Sequence, residues 1–265
     1  MMFNKRRFLL SFSALLLTAC VTTAPSESQK IVVFSSGGFF AAYDELAPQF
    51  EKETGITLET HKGSSSGGAP DSIPERLKRG EYADVVILSE NGFKNISKLG
   101  FVLAETKTDL VRSKIGMSVK DGANIPDIST SEKFTSVLRN AESIGYSASA
   151  SGRYLSTKLW PKMGIWEEIE PKSTRVLSER VATVVARGDL EIGFQQISEI
   201  LPIPGATYAG PIPEELQKVT VFTTGVTTNG DQDLALKLIS YLSDIDKAET
   251  IKAVGLEPIA LSKIN

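Results

Sequence analysis

The 265-residue sequence contains one cysteine and one histidine. With Cys20 alone, no disulfide can close within the chain. With His61 as the sole imidazole, a nitrogen- or sulfur-ligated metal centre lacks a ligand set. No carboxylate cluster has calcium-loop spacing, and neither a Walker sequence nor G-x-G-x-x-G occurs, so no cofactor or metal is expected. Basic blocks are missing too. With 29 basic residues against 32 acidic ones and a net charge of −3, no nucleic-acid groove or polybasic membrane patch is expected. No internal repeat is present, and no long apolar run follows the first twenty residues.

What is present begins at that cysteine. Lys5, Arg6 and Arg7 form a basic stretch, Phe8 to Ala19 an apolar one, and Leu17-Thr18-Ala19-Cys20 closes it with small residues, in the order of a secretory signal. Twelve residues are too few for a permanent membrane span. The stretch looks like a bacterial lipoprotein signal, residues 1–19, cleaved before an acylated Cys20. Residues 20–29, small and polar, read as a flexible leash. An uncleaved helix with an incidental cysteine is the alternative, and Arg6-Arg7 also permits twin-arginine export. Cleavage removes three basic residues and no acid, moving the net charge from −3 to −6. The expected location is the periplasm or cell surface, with the protein lipid-anchored to a membrane.

Strand and helix patterns then alternate. Lys30 to Phe34, Thr57 to His61 and Ala83 to Leu88 read as strands, separated by helical spacing at Phe39, Tyr43, Leu46 and Phe50 and by a capping box at Ser72-Ile73-Pro74-Glu75. A second α/β block runs from Ile115 to Phe194, with helices at Ser131 to Asn140, Gly152 to Trp160 and Ser178 to Arg187. A β-rich stretch, Lys218 to Val226, precedes two amphipathic helices. This order predicts an α/β protein of two doubly wound sheets. The expected division is residues 30–112 plus 226–265 as one lobe and 113–225 as the other, with Ile115 to Val119 and Lys218 to Val226 as the two crossing strands. A single continuous doubly wound domain is the alternative.

The polar signal lies in three loops at strand ends, where ligands of open α/β sheets bind. They are Ser35-Ser36-Gly37-Gly38, Gly63-Ser64-Ser65-Ser66-Gly67-Gly68 and Ser147-Ala148-Ser149-Ala150-Ser151-Gly152. Serine hydroxyls and glycine amides, some opening helices, make an uncharged donor-rich nest for an anion. The same residues also serve as ordinary turn and cap residues. Arg153 follows the third loop as a cation able to fork onto a carboxylate or phosphate, or to lie solvated on its helix. Gln195 and Gln196 put amides at a further strand end. Gly63-Ser64-Ser65-Ser66-Gly67 matches the nucleophile elbow G-x-S-x-G, which would make Ser65 a hydrolase nucleophile. His61 precedes it in the strand, in the wrong order for a triad base.

The leash, Ser35-Ser36-Gly37, Ala83-Asp84-Val85-Val86-Ile87 and Asp189-Leu190-Glu191-Ile192-Gly193-Phe194 together resemble the periplasmic solute-binding proteins of the molybdate-binding type, over nearly the whole chain after the signal. The resemblance implies a bilobal type II binding-protein fold, a ligand held between hinged lobes, and delivery to an ABC importer. It also implies an oxyanion shell from Ser35, Ser36 and Ser64 to Ser66. A tyrosine often completes that shell on the strand end that here reads Gln195-Gln196. The missing tyrosine, the longer Ser/Gly loop and Arg153 depart from the pattern, so the expected ligand is a small anion, either a molybdate-like oxyanion or a larger one such as a small organic carboxylate. The expectation is a monomeric, non-catalytic anion-capturing lipoprotein. A Ser65 hydrolase and a sensor or structural lipoprotein are the alternatives.

Overall fold

The computed structural model describes Met1 and residues 29–66, 68–177 and 179–259. The signal, most of the leash with Cys20, and Gly67 therefore lie outside the described residues. Two mixed sheets form. The first takes β1 (Lys30–Ser35), β2 (Thr57–Lys62), β3 (Val85–Ser89), β4 (Thr108–Ser113), β10 (Thr220–Val226) and β11 (Glu257–Pro258), in the order β11-β4-β10-β3-β1-β2. The second takes β5 (Ile115–Lys120), β6 (Ile144–Ser147), β7 (Ser173–Val176), β8 (Ile192–Gln196) and β9 (Ala206–Pro211), in the order β7-β6-β8-β5-β9.

Strand alternation creates the layers. Ile31, Val33, Val85 and Ile87 face a core with Phe39, Leu46 and Phe50 of the helix Gly37–Thr54 and Leu238 of the helix Gln232–Leu242. Val32, Phe34, Val86 and Leu88 face the other side, against Ile73, Leu77, Phe93 and Ile96. A period of two on strands buried on both faces thus yields a doubly wound lobe. The last two helices pack on the first sheet, so the chain returns to where it began.

Glycines set the layer spacing in the second lobe. Gly145 and Gly193 are register partners on neighbouring parallel strands. A Cβ on either would stand 2.7 Å from Val181 Cγ1. The glycine in Glu191-Ile192-Gly193-Phe194 therefore lets the helix Val181–Arg187 lie close on the sheet.

The crossings differ from expectation. β10 lies wholly in the first sheet, antiparallel to β3 and β4, so residues 220–225 belong with the first lobe. Lys114, between β4 and β5, makes one crossing, and residues 212–219 make the other. Gln217 ties the two together: its Oε1 accepts the Ile115 N–H at 3.0 Å and its Nε2 donates to the Ile115 carbonyl at 2.7 Å. The third-loop helix starts at Ala150 and passes through a π turn at Leu155–Leu159, and the helix predicted from Ser178 starts at Val181. β4, β9 and β11 carry no strong alternation in sequence; edge or hinge positions bury only part of each strand.

Candidate functional site

A cavity of about 240 Å³ opens between the lobes. Gly37, Phe40, Lys62, Gly63, Ser64 and Asp71 face it from the first lobe; Ser147, Ala148, Ser149, Arg180, Gln195 and Glu199 are among the residues facing it from the second. The volume lies below the roughly 300–1,000 Å³ of sites for drug-sized ligands, which suits a small solute.

The first wall is the start of the helix Gly37–Thr54, whose first N–H groups lack intrahelical acceptors. Ser36 is its N-cap, and its N–H donates to Ile87 O at 2.8 Å. The Oγ atoms of Ser35 and Ser36 are buried and have no hydrogen-bond partner among the described residues. Two glycines at this terminus permit close approach. A Cβ on Gly37 would stand 2.1 Å from Glu199 Oε1, and one on Gly38 would stand 1.9 Å from Phe222 Cζ. The lobes meet here: Ser198 Oγ donates to the Gly38 carbonyl at 2.8 Å.

The second wall is built from helix starts. Ser149 is the N-cap of Ala150–Tyr154, and Arg180 is the N-cap of Val181–Arg187. Ser147 Oγ and Ser151 Oγ are 3.0 Å apart, and the Gly152 N–H donates to Ser147 Oγ at 3.3 Å. Ser151 and Gly152 are thus buried parts of the loop's own fold. Gln195 Oε1 accepts the Ala182 N–H at 2.7 Å, which turns its NH₂ group toward Glu199.

Glu199 is the unusual member. Burial raises its carboxyl above the ordinary glutamate range. Arg180, the Gln196 N–H and the Gln195 amide act against that rise. Lys62 sits over the Phe40 ring, 3.5 Å from its centroid, and 3.8 Å from Asp44.

The three loops share this interlobe region unequally. Gly37, Ser64, Ser147, Ser149 and Gln195 line the cavity. Gly38 lies just behind it under Phe222. Gln196 is buried at the hinge, with Nε2 donating to Thr220 Oγ1 at 3.1 Å. Ser66 and Arg153 line a second crevice of about 210 Å³ with Asn91, Tyr154 and Lys218. Among the described residues, Lys62 and Arg180 are the cations lining the first cavity, and Arg153 lines the second crevice. A helix begun at Ser178 would make Arg180 an interior residue; begun at Val181, it leaves Arg180 as the N-cap.

The elbow reading finds no triad geometry. Ser65 Oγ is buried and accepts the Ser89 N–H at 2.8 Å, while His61 Nε2 lies 2.9 Å from Glu59 Oε1. The Ala83-Asp84 motif is structural. Asp84 Oδ2 accepts the Val32 N–H at 2.7 Å, and Oδ1 accepts the Asp231 N–H at 2.8 Å and the Tyr82 hydroxyl.

Two α/β lobes, two crossings and a donor-lined cleft between them define the type II periplasmic binding proteins. The structure is similar to the periplasmic molybdate-binding protein of Azotobacter vinelandii, with a TM-score of 0.69 at 18% identity, covering 88% of this chain and all of that one. Residues 31–257 match the family described as bacterial extracellular solute-binding protein, and the chain belongs to that family. It is 38% identical to aconitate isomerase of a Pseudomonas species over 251 residues, 94% of this chain and 96% of that protein. It is 22% identical to the Escherichia coli molybdate-binding protein ModA, over 94% of this chain and 98% of that one.

Proposed function

We propose that the protein captures a small polycarboxylate, of the size and charge of aconitate, by closing its lobes on it. The observation that carries this reading is the pair of cations lining the cavity: Lys62 from the first lobe and Arg180 from the second, beside the donors of Gly37, Ser64 and Ser149. A guanidinium and an ammonium on opposite walls suit carboxylates separated along a carbon chain better than one tetrahedral oxyanion. Contacts made to both walls exist only in the closed form, which gives the ligand its preference for that form. The relative named aconitate isomerase supports the same ligand class.

Calorimetric titration with cis-aconitate, trans-aconitate and molybdate tests the reading. The aconitates are expected to bind and molybdate not. Arg180→Met removes a charge-assisted bond of about 1.5–3 kcal/mol, roughly 10- to 150-fold in affinity. Arg153→Met stays within about twofold, because Arg153 lines the other crevice. Binding of molybdate alone, or equal loss from both variants, refutes the reading.

On this proposal the solute passes to an ABC permease, and Cys20 carries the lipid that tethers a monomer outside the cytoplasm. Labelled palmitate should enter the wild-type protein and not Cys20→Ala; an unlabelled wild type sinks the tether. A second reading, that the acid is isomerised while bound, has its own observation in Glu199.

A further inference from the structure

A cleft that collects anions has no electrostatic use for a carboxylate, yet Glu199 lines this one from the second lobe. Glu179 is paired with Arg187 at 2.7 Å, and Asp71, on the opposite wall, is exposed to solvent. Glu199 is instead held in place. The Gln196 N–H and the Gln195 amide hold its carboxyl, the Ala182 N–H orients that amide, and Gly37 offers no side chain to push it away. Arg180 is the charged group acting on it.

We propose that Glu199 carries the proton in a 1,3-allylic shift of an unsaturated tricarboxylate bound in this cleft. The proposal rests on the polycarboxylate reading above and adds an activity to it. The ionised carboxylate takes a proton from the methylene carbon, and the C–H electron pair moves into the adjacent double bond to give an allylic carbanion. Its charge spreads onto the flanking carboxylates, which face the Arg180 guanidinium and the donors at Gly37. The protonated Glu199 then returns the proton to the former vinylic carbon. The double bond has moved one position, one C–H bond has broken and one has formed, and Glu199 is regenerated. No electron acceptor or second reactant is consumed.

The environment suits this cycle. Burial makes the neutral acid more accessible than for a surface glutamate, so the group can both take and return a proton. Contact with Gly37 places Glu199 at the seam between lobes, where closure excludes water from the carbanion.

The test incubates the purified protein with cis-aconitate, and separately with trans-aconitate, in deuterium oxide, followed by proton NMR, with binding measured in parallel. Interconversion approached from both sides is expected, with the abstracted proton carried largely intact to the new methylene position and little solvent deuterium taken up. Glu199→Gln should lower turnover by about 10²–10⁴-fold while still binding both isomers. Gly37→Ala, which displaces the carboxyl without removing it, should also lose turnover and covers the case in which the glutamine variant fails to fold. Binding without interconversion overturns the activity and leaves capture standing. Wild-type turnover in Glu199→Gln overturns the assignment of this residue. Absence of aconitate binding in the wild type takes down both proposals.

Discussion

Replacing Gly37 by alanine separates folding from lobe closure. Gly37 is the first residue of an 18-residue helix and does not adopt a positive φ. Alanine there is neutral or slightly stabilising, by at most about 0.5–1 kcal/mol. The new Cβ would stand 2.1 Å from Glu199 Oε1, whereas an ordinary carbon contact needs roughly 3.5 Å. The carboxyl must withdraw by more than about 1 Å, giving up the bonds from the Gln196 N–H and the Gln195 amide, or the lobes must stay apart. A bond to a charged group is worth about 1.5–3 kcal/mol, so the loss of one of them should lower closed-state affinity roughly 10- to 150-fold. Titration calorimetry with aconitate reads the affinity, and thermal unfolding without ligand reads the fold. The expected result is weakened binding with an unchanged or higher melting temperature. Gly38→Ala is the contrast: its Cβ would enter the Phe222 ring of the same lobe, so it should cost about 1–3 kcal/mol of stability. Wild-type affinity in a folded Gly37→Ala protein would refute the contact between the lobes and with it the closed geometry of the cleft.

Two further outcomes follow from buried carboxylates. Asp84→Ala leaves the Val32 and Asp231 N–H groups and the Tyr82 hydroxyl without their acceptor; it should cost about 3–5 kcal/mol in urea unfolding, and a loss under about 1 kcal/mol would contradict this role. Glu199 has its carboxyl raised by burial, so the unfolded chain releases that proton first as pH rises. Its contribution is most favourable below the ordinary glutamate value and is lost as pH climbs through the raised one. Glu199→Gln should therefore gain stability over wild type at about pH 8 and little at about pH 4, as read by thermal unfolding; an equal gain at both would argue against the raised value.

Much of the fold was legible because burial leaves a periodic trace. The β1 and β3 patterns, the helix Ser131–Asn140 and the glycine ends at Gly55 and Gly255 follow from it. The strands with no clear periodic trace, β4, β9 and β11, lie at or near the hinge and sheet edges, where partial burial blurs alternation. Among the site residues, the Ser/Gly loops were visible as clusters, while Arg180 and Glu199 were isolated charges. Nothing local distinguishes an arginine at a helix start that faces a cleft from one that faces solvent.

The sequence by itself determined that the described chain is an α/β protein with donor-rich loops at strand ends, and that it offers no ligand set for a soft metal. These are properties of composition and of short-range periodicity. Only the tertiary structure decided where the chain crosses between lobes, that Arg153 faces one crevice and Arg180 another, and that Glu199 lies against Gly37 some 160 positions earlier in the sequence. Such contacts depend on the packing of helices on sheets and of one lobe on the other, and no local pattern encodes that geometry.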